Sequence, residues 1–411
     1  MLIFMPLRLA IRIAHSFGVL SRLLRQGSGV MVGGRILLKL VPDAVHKLSK
    51  NRKVVLISGT NGKSTTTALI AQALSTKSLV ASNSTGANLF AGLAFALSQN
   101  TSAPVAVLEV DEMVVPWAIT QTNPRLIVLL NLGRDQLDRL SEVRVVAQKW
   151  REVLRNLPAS CAVLADADDP FVAWASMASV NVIWFTSGVH GHMDASTCPE
   201  CGDILNWQNE GASYSCNCGF KKPNPEWILR GNTLLGPRNR EIKITSAIPG
   251  KAALSNAARA VVASQYFGVD GDAAAKTISL ITSVDGRFGA LQIGQTKFRL
   301  MLSKNPASWR ETLATSAEGP LNVLLFVNAN TQDGKDTSWM WDVDFSPLQG
   351  RSVFVTGDRR LDLSARLTVS GINHRVVSNE LAASTTIGAC DADLIASYTA
   401  FHRLAKGVKK S

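Results

Sequence analysis

The chain has 411 residues and a mass of 44.1 kDa, more than one compact core needs and enough for two or three domains. Apolar residues make up 46% and charged residues 18%, which excludes a disordered chain, and no run of eighteen uncharged apolar residues is present to cross a bilayer. The net charge of +12 is local: residues 1–53 hold ten basic residues against Asp43 alone, and the rest is close to neutral, so a nucleic-acid partner loses its main support.

From Pro6 to about Arg25, apolar residues are interrupted by Arg8, Arg12, His15 and Arg22 at helical spacing, and Pro6 suits a first turn. This predicts an amphipathic helix with a narrow basic stripe, inside a basic N-terminal segment over residues 1–45. Three settings suit such a helix. It packs its wide apolar face on the body of the protein, or it lies in a membrane interface. The third, a secretory signal, fits less well because arginines interrupt the apolar core and no clean cleavage site follows. The glycine-rich residues 26–34 end the helix.

Residues 53–57 are a β-branched run, followed by a loop and an Ala- and Leu-rich helical pattern over 66–74. Short apolar runs recur at 105–110, 126–130, 161–164 and 180–185 between helical stretches. That alternation predicts an α/β fold with a mainly parallel sheet. Residues 193–222 break it with a polar, Gly- and Cys-rich insertion. A second alternating set, with strands near 322–327, 352–355 and 374–377, predicts a second α/β domain over 286–411.

The sharpest motif is Gly59-Thr60-Asn61-Gly62-Lys63-Ser64-Thr65. Glycines after a buried strand let backbone N–H groups wrap phosphate oxygens, and the following helix turns its positive end toward them. Lys63 then neutralises the β- and γ-phosphates and Ser64 reaches Mg²⁺. The strict P-loop pattern has glycine where this chain has Ile57. In its strand–loop–helix setting the motif predicts ATP binding.

This loop resembles that of the Mur ligase family, ATP-dependent enzymes that join amino acids to peptidoglycan precursors. Further matches follow in family order. Glu109, in Leu-Glu-Val-Asp-Glu, is similar to the family's magnesium-binding glutamate; alone, an acid at a strand end is as readily a solvated terminus. Asn131-Leu-Gly-Arg-Asp135-Gln136-Leu137-Asp138-Arg139 resembles an element in which Gln136 replaces the usual histidine. Asn256 resembles the asparagine that faces the nucleotide base, and Gly286-Arg287-Phe288 resembles the opening of the C-terminal domain, whose arginine reaches the nucleotide. The resemblance implies a Mur ligase-type ATP-binding central domain over residues 46–285 and a Rossmann-like C-terminal domain. Most of the family carry a substantial domain before the loop that grips the UDP of the substrate. About fifty basic, amphipathic residues precede it here, and the expectation is a lipid-linked acceptor at a membrane face in place of a UDP-linked one.

The second strong signal is Cys198-Pro-Glu-Cys201 with Cys216-Asn-Cys218-Gly219. Two close pairs separated by fourteen residues place four thiolates around Zn²⁺, although the second pair has one intervening residue instead of two. His190 and His192 lie near enough in sequence to replace a ligand. No open coordination position is suggested, so the zinc is read as structural. Few cysteines otherwise, with no disulfide pattern, suit a reducing cytoplasmic compartment.

A ribbon inserted in such a central domain resembles the MurT-type branch, synthetase subunits of lipid II isoglutaminyl synthases. Ser303-Lys304-Asn305-Pro306 and Asn328-Ala-Asn330-Thr-Gln-Asp333-Gly334-Lys-Asp336-Thr-Ser338-Trp339 resemble two segments of that branch. The resemblance implies a carbon–nitrogen ligase that takes glutamine as amido donor. It amidates the α-carboxyl of D-glutamate in the lipid II stem peptide through an acyl phosphate, with Lys63 and Glu109 at the phosphoryl group. Cys161 lies in an apolar strand and Cys390 in Gly-Ala-Cys-Asp without a nearby histidine, so neither suits a glutaminase nucleophile. Ammonia is therefore expected from a separate GatD-type glutamine amidotransferase subunit. Asp333 and Asp336 are both open as the aspartate that completes that partner's Cys–His pair; either also suits a helix cap. Two other readings stand beside this one: a Mur-like ligase adding an amino acid to a carboxylate, and a non-catalytic ATP-binding scaffold for a glutaminase. A zinc-dependent nucleic-acid binder is disfavoured because residues 197–222 hold Lys221 and Lys222 against Glu200, Asp203 and Glu210.

Overall fold

The computed structural model describes residues 5–24, 27–83, 86–133, 142–188, 195–284, 287–330 and 333–408. They form two compact units, the first comprising residues up to 133, 141–245 and 255–280, the second 246–254 and 281 onward.

In the first unit, α1 (Leu7–Leu23), α2 (Val30–Leu40) and α3 (Ala44–Ser49) precede an alternating series. It runs β1 (Lys53–Ser58), α4 (Lys63–Ser75), β2 (Val80–Ser82), α5 (Phe90–Gln99), β3 (Val105–Glu109), α6 (Val115–Thr122) and β4 (Leu126–Leu129). It continues with α7 (Glu142–Leu154), β5 (Ala162–Asp166), α8 (Pro170–Ser176) and β6 (Val182–Thr186). A small hairpin, β7 (Asn206–Gln208) and β8 (Ser213–Ser215), interrupts the series before β9 (Trp227–Arg230), β10 (Thr233–Gly236) and β11 (Arg240–Lys243). The helix α9 (Lys251–Tyr266), which joins this unit from residue 255 onward, and α10 (Gly271–Ser279) follow.

The main sheet has the order β11-β10-β9-β6-β5-β4-β1-β3-β2 and is parallel except at β9-β10-β11. Strands β3, β4 and β5 are buried along their whole length, as parallel strands covered on both faces must be, and this explains their unbroken apolar runs. Strand β1 pairs with β3 on one side and β4 on the other. The strand order therefore reverses at β1, and ligands of open α/β sheets bind at the carboxyl end of such a switch point.

The expected amphipathic helix is α1, but its packed face is not the wide apolar one. Its fully buried residues are Ala10, Ala14, Gly18 and Ser21; the helix packs on α2, while Gly18 and His15 also meet Phe95 of α5. The reason is how closely the backbones approach. A Cβ on Gly33 of α2 would stand 2.8 Å from the Ala14 carbonyl, and one on Gly34 would stand 1.9 Å from the Ala91 carbonyl. Small residues fit that close approach, Leu7 and Ile11 pack on the core beside it, and Leu9, Phe17, Val19, Leu20 and Leu23 are turned outward.

The second unit contains β12 (Phe288–Ile293), β13 (Thr296–Leu302), α11 (Pro306–Ala317), β14 (Asn322–Phe326), β15 (Ser352–Thr356) and α12 (Arg360–Val369). β16 (His374–Val376), α13 (Glu380–Ile387), β17 (Asp391–Ala396) and α14 (Tyr398–Val408) complete it. Its sheet, β12-β13-β17-β14-β15-β16, is parallel apart from the β12–β13 hairpin. Apolar clusters cover both faces, one around Trp309, Leu325 and Phe345, the other around Phe298, Leu394 and Phe401.

Candidate nucleotide site and cysteine cluster

Residues Gly59–Gly62 leave β1 at the switch point and enter α4. Gly62 holds φ +86°, and α4 begins there with no side-chain cap from Gly62 and no acid in its first turn, so the positive end of the helix favours an anion. The loop is held by the turn after β4. The Asn131 side chain grips the Asn61 peptide from both ends: Asn61 N donates to Oδ1 at 2.9 Å and Nδ2 donates to Asn61 O at 3.0 Å. Thr60 N donates to Asn131 O at 2.8 Å, and the Thr60 hydroxyl exchanges hydrogen bonds with the Gly133 backbone. Asn256 of α9 lies against the loop from another direction; a Cβ on Gly62 would come within 2.9 Å of its Oδ1.

Lys63 is 6% exposed and its ammonium is folded back onto the loop, donating to Gly59 O and pairing with Glu112 Oε1 at 2.9 Å. Glu109 ends β3 beside Ile57 of β1 and is 1% exposed. Asn83 brackets its backbone, accepting from Glu109 N and donating to Glu109 O, both at 2.7 Å, while Asn88 Nδ2 donates to Glu109 Oε1 at 3.1 Å. A buried carboxylate at the sheet edge, one strand from the loop, is a donor suited to a hard cation. The sequence alone gives no role to Asn83, Glu112 or Asn131. For Asn131 the signal was present, an asparagine directly after a buried strand; the other two needed the sheet order.

The four ribbon cysteines converge. Their sulfurs all lie within 4.8 Å of one another, with Cys198 to Cys218 at 3.7 Å and Cys201 to Cys216 at 3.4 Å. Zn–S bonds of about 2.3 Å in a tetrahedron put sulfurs about 3.8 Å apart, so the set fits zinc. Each pair sits on a tight turn: Gly202 N donates to Cys198 O and Gly219 N to Cys216 O, both glycines having positive φ. The short Cys-x-Cys half therefore still presents both sulfurs, and the Cys218 backbone N–H lowers the pKa of the Cys216 thiol. Burial pushes the Cys161 thiol up to about 12, as suits a core residue.

In the second unit, Asn305 caps α11 in a reciprocal box with Ser308. Asp333 is fully engaged: Oδ1 accepts from Thr399 N at 2.7 Å and Oδ2 from the Thr399 hydroxyl and Asn330 N. Asp336 is exposed and accepts from Ser338 N, whose N–H and hydroxyl hold its carboxyl below the usual range. Trp339 stacks on Trp309 in the core, whereas Trp341 is 57% exposed.

Residues 57–264 match the Mur ligase middle domain, and residues 302–401 match the MurT ligase C-terminal domain. The chain is 30% identical, over 87% of its length and 88% of the relative's, to the lipid II isoglutaminyl synthase (glutamine-hydrolyzing) subunit MurT of Staphylococcus aureus strain N315. This chain belongs to the MurT family of Mur ligases.

Solved structures agree on the fold. A pseudomurein peptide ligase type C from Methanothermus fervidus superimposes with a TM-score of 0.65 at 19% identity, covering 89% of this chain and 80% of that one. The MurF ligase of Thermotoga maritima in complex with ADP gives 0.64 at 17% identity, with coverages of 92% and 84%. Within this MurT-family chain, the first unit brings together Gly59, Thr60, Asn61, Gly62, Lys63, Ser64, Thr65, Glu109 and Asn256 around one loop. Arg287, Asp333 and Asp336 belong to the second unit. Asp135, Gln136, Asp138, His190, His192 and Gly286 lie outside the described residues.

Proposed function

We propose that this MurT-family chain is the synthetase subunit of a lipid II isoglutaminyl synthase, converting the α-carboxyl of D-glutamate in the stem peptide to an amide. The run of likeness to a MurT subunit through both domains carries this reading. Residues 59–65 bind the phosphates of ATP, Lys63 exchanging Glu112 for the β- and γ-phosphates as they enter. Ser64 and Glu109 would hold magnesium, whose charge offsets that of the phosphates when it is bound. Asn256 and Arg287 are assigned to the nucleotide, and Cys198, Cys201, Cys216 and Cys218 would hold a structural zinc ion.

A carboxylate is a poor electrophile. In the first step its oxygen attacks the γ-phosphorus, the bond to the bridging oxygen breaks, and ADP leaves with that electron pair. Ammonia then attacks the carbonyl carbon of the acyl phosphate, inorganic phosphate departs with the C–O pair, and the nitrogen loses a proton. Lys63 stabilises negative charge on the transferring group in a site that a buried loop keeps preorganised.

The ammonia comes from a separate GatD-type glutaminase. Asp336 is the aspartate offered to that partner's Cys–His pair, because Asp333 has both oxygens committed to Thr399 and Asn330 whereas Asp336 faces solvent. The acceptor's lipid places the work at the inner membrane face; among the described residues, no helix is long and apolar enough to cross the membrane. The test is to incubate the purified chain with ATP, Mg²⁺, lipid II and concentrated ammonium and weigh the product. A carboxyl-to-amide mass change with ADP formed is expected. No product, even with a glutaminase and glutamine added, refutes the assignment.

A further inference from the structure

The outward face of α1 has no occupant in the fold. Leu9, Phe17 and Leu20 are each close to half exposed, Leu23 is 74% exposed and Leu24 60%. Around the helix, Leu9, Leu20, Leu24 and Phe17 occupy one side of that face, and Arg8, Arg12 and Arg22 the other. All three arginines are exposed, and among the described residues no carboxylate lies within ion-pair distance of them. The surrounding sequence carries ten basic residues to one acid. A surface that joins unpaired cations to exposed leucines complements a layer with anionic head groups above an apolar interior.

The helix is also placed to serve such a layer. His15 Nε2 meets Ser98 Oγ at 2.9 Å, and a Cβ on Gly18 would lie 3.4 Å from Phe95. Residue numbers thus run in opposite directions along α1 and α5, and the last turn of α1 points toward the end of α5 that starts at Phe90. That end lies at the carboxyl edge of the sheet, the edge from which the phosphate loop emerges. Leu89, Phe90 and Met113 are exposed at the same edge.

We infer that the outward face of α1 docks the chain on an anionic bilayer, with the carboxyl edge of the first sheet turned toward the lipid head groups. The purpose of this docking rests on the proposed lipid-linked acceptor, but the binding itself does not. The opposite face is packed, with Ala14 and Gly18 close against α2 and Leu7 and Ile11 on the core, so the helix belongs to the unit and the surface is formed before lipid arrives.

The test uses the full chain and sedimentation with vesicles of phosphatidylcholine alone or rich in phosphatidylglycerol. Strong, salt-sensitive partition to the phosphatidylglycerol vesicles is expected, and the double variant Leu20→Glu/Leu23→Glu should reduce it at least about tenfold. Thermal midpoint and ammonium-driven amidation of a water-soluble acceptor should not change in that variant. Arg8→Gln/Arg12→Gln should lose the preference for anionic vesicles and keep the fold. The inference is overturned if the wild-type chain stays in the supernatant, or if the leucine variant binds as well as wild type. It is equally overturned if sedimentation velocity shows a dimer that the variant dissolves, since a second copy then covers the face. Absent amidation with vesicle binding intact refutes the proposed function and leaves the docking standing.

Discussion

Replacing Asn131 with alanine removes the side chain that clamps the Asn61 peptide and leaves the backbone bond from Thr60 N to residue 131 in place. Two hydrogen bonds of normal length are lost, each worth about 1 kcal/mol net. If the loop must be ordered before it accepts phosphates, most of that ~2 kcal/mol appears in nucleotide affinity, a weakening of about 30-fold. Isothermal titration of ADP with Mg²⁺ into wild type and Asn131→Ala measures this directly. Asn131→Asp is the sharper control. It keeps an acceptor for Asn61 N, sets a second oxygen against Asn61 O and adds negative charge beside the phosphates, so it should bind at least as weakly as alanine. An Asn131→Ala affinity within about twofold of wild type, with the thermal midpoint unchanged, would falsify the idea that this clamp preorganises the loop.

Other outcomes follow from the same structure. Cys198→Ser should lower zinc content and thermal stability together; metal-free protein of normal stability would remove the zinc from the fold's support. Lys222→Met leaves Asp168 buried without its cation, at a cost of about 3 kcal/mol in denaturant unfolding. Burial alone would raise the Asp168 pKa, but the Lys222 ammonium and the Thr186 and Ser187 donors outweigh it and hold it below the usual range. Its contribution is therefore complete above the ordinary carboxylate pKa of about 3.9 and is lost as pH falls through the lowered folded value, and Lys222→Met should move acid unfolding to higher pH. Gly34→Val should destabilise the first unit by about 2 kcal/mol or more, read as a drop in denaturant midpoint, because its Cβ would stand 1.9 Å from the Ala91 carbonyl. Asp336→Asn should abolish glutamine-driven amidation and spare ammonium-driven amidation; equal loss of both would place Asp336 in the synthetase site.

The elements that the sequence announced most clearly are those whose local pattern and tertiary setting agree. The runs at 105–110 and 126–130 are strands because a parallel sheet buries both their faces, and the glycine loop sits where a strand meets a helix. The cysteine pairs were legible through spacing alone, although only the structure resolves how Cys216 and Cys218, with one residue between them, both turn their sulfurs toward Cys198 and Cys201. Periodicity marked α1 as amphipathic and left open which face packs. That choice depends on glycines in other elements, Gly29, Gly33 and Gly34, whose effect is a backbone separation and leaves no trace in the hydropathy of α1 itself. Glu112 and Asn83 were hidden for a related reason: their partners, Lys63 and Glu109, are 49 and 26 residues away, and sheet order alone brings them together.

Strands β6 and β9 run parallel and adjacent, so the chain between them must cross from one end of the sheet to the other. A helix usually makes that journey; here the cysteine ribbon makes it. Tyr214 and Lys222 moor the ribbon to residues 167 and 168, and Glu200 reaches Trp174. The metal site thus lies within the return path that sets the register of β9, and through it the antiparallel strands β10 and β11. Chelation should therefore be felt well beyond the ribbon. In hydrogen exchange, the amides of β9, β10 and β11 should lose protection as a block when zinc is withdrawn, while those of β1, β3 and β4 beside the phosphate loop keep theirs.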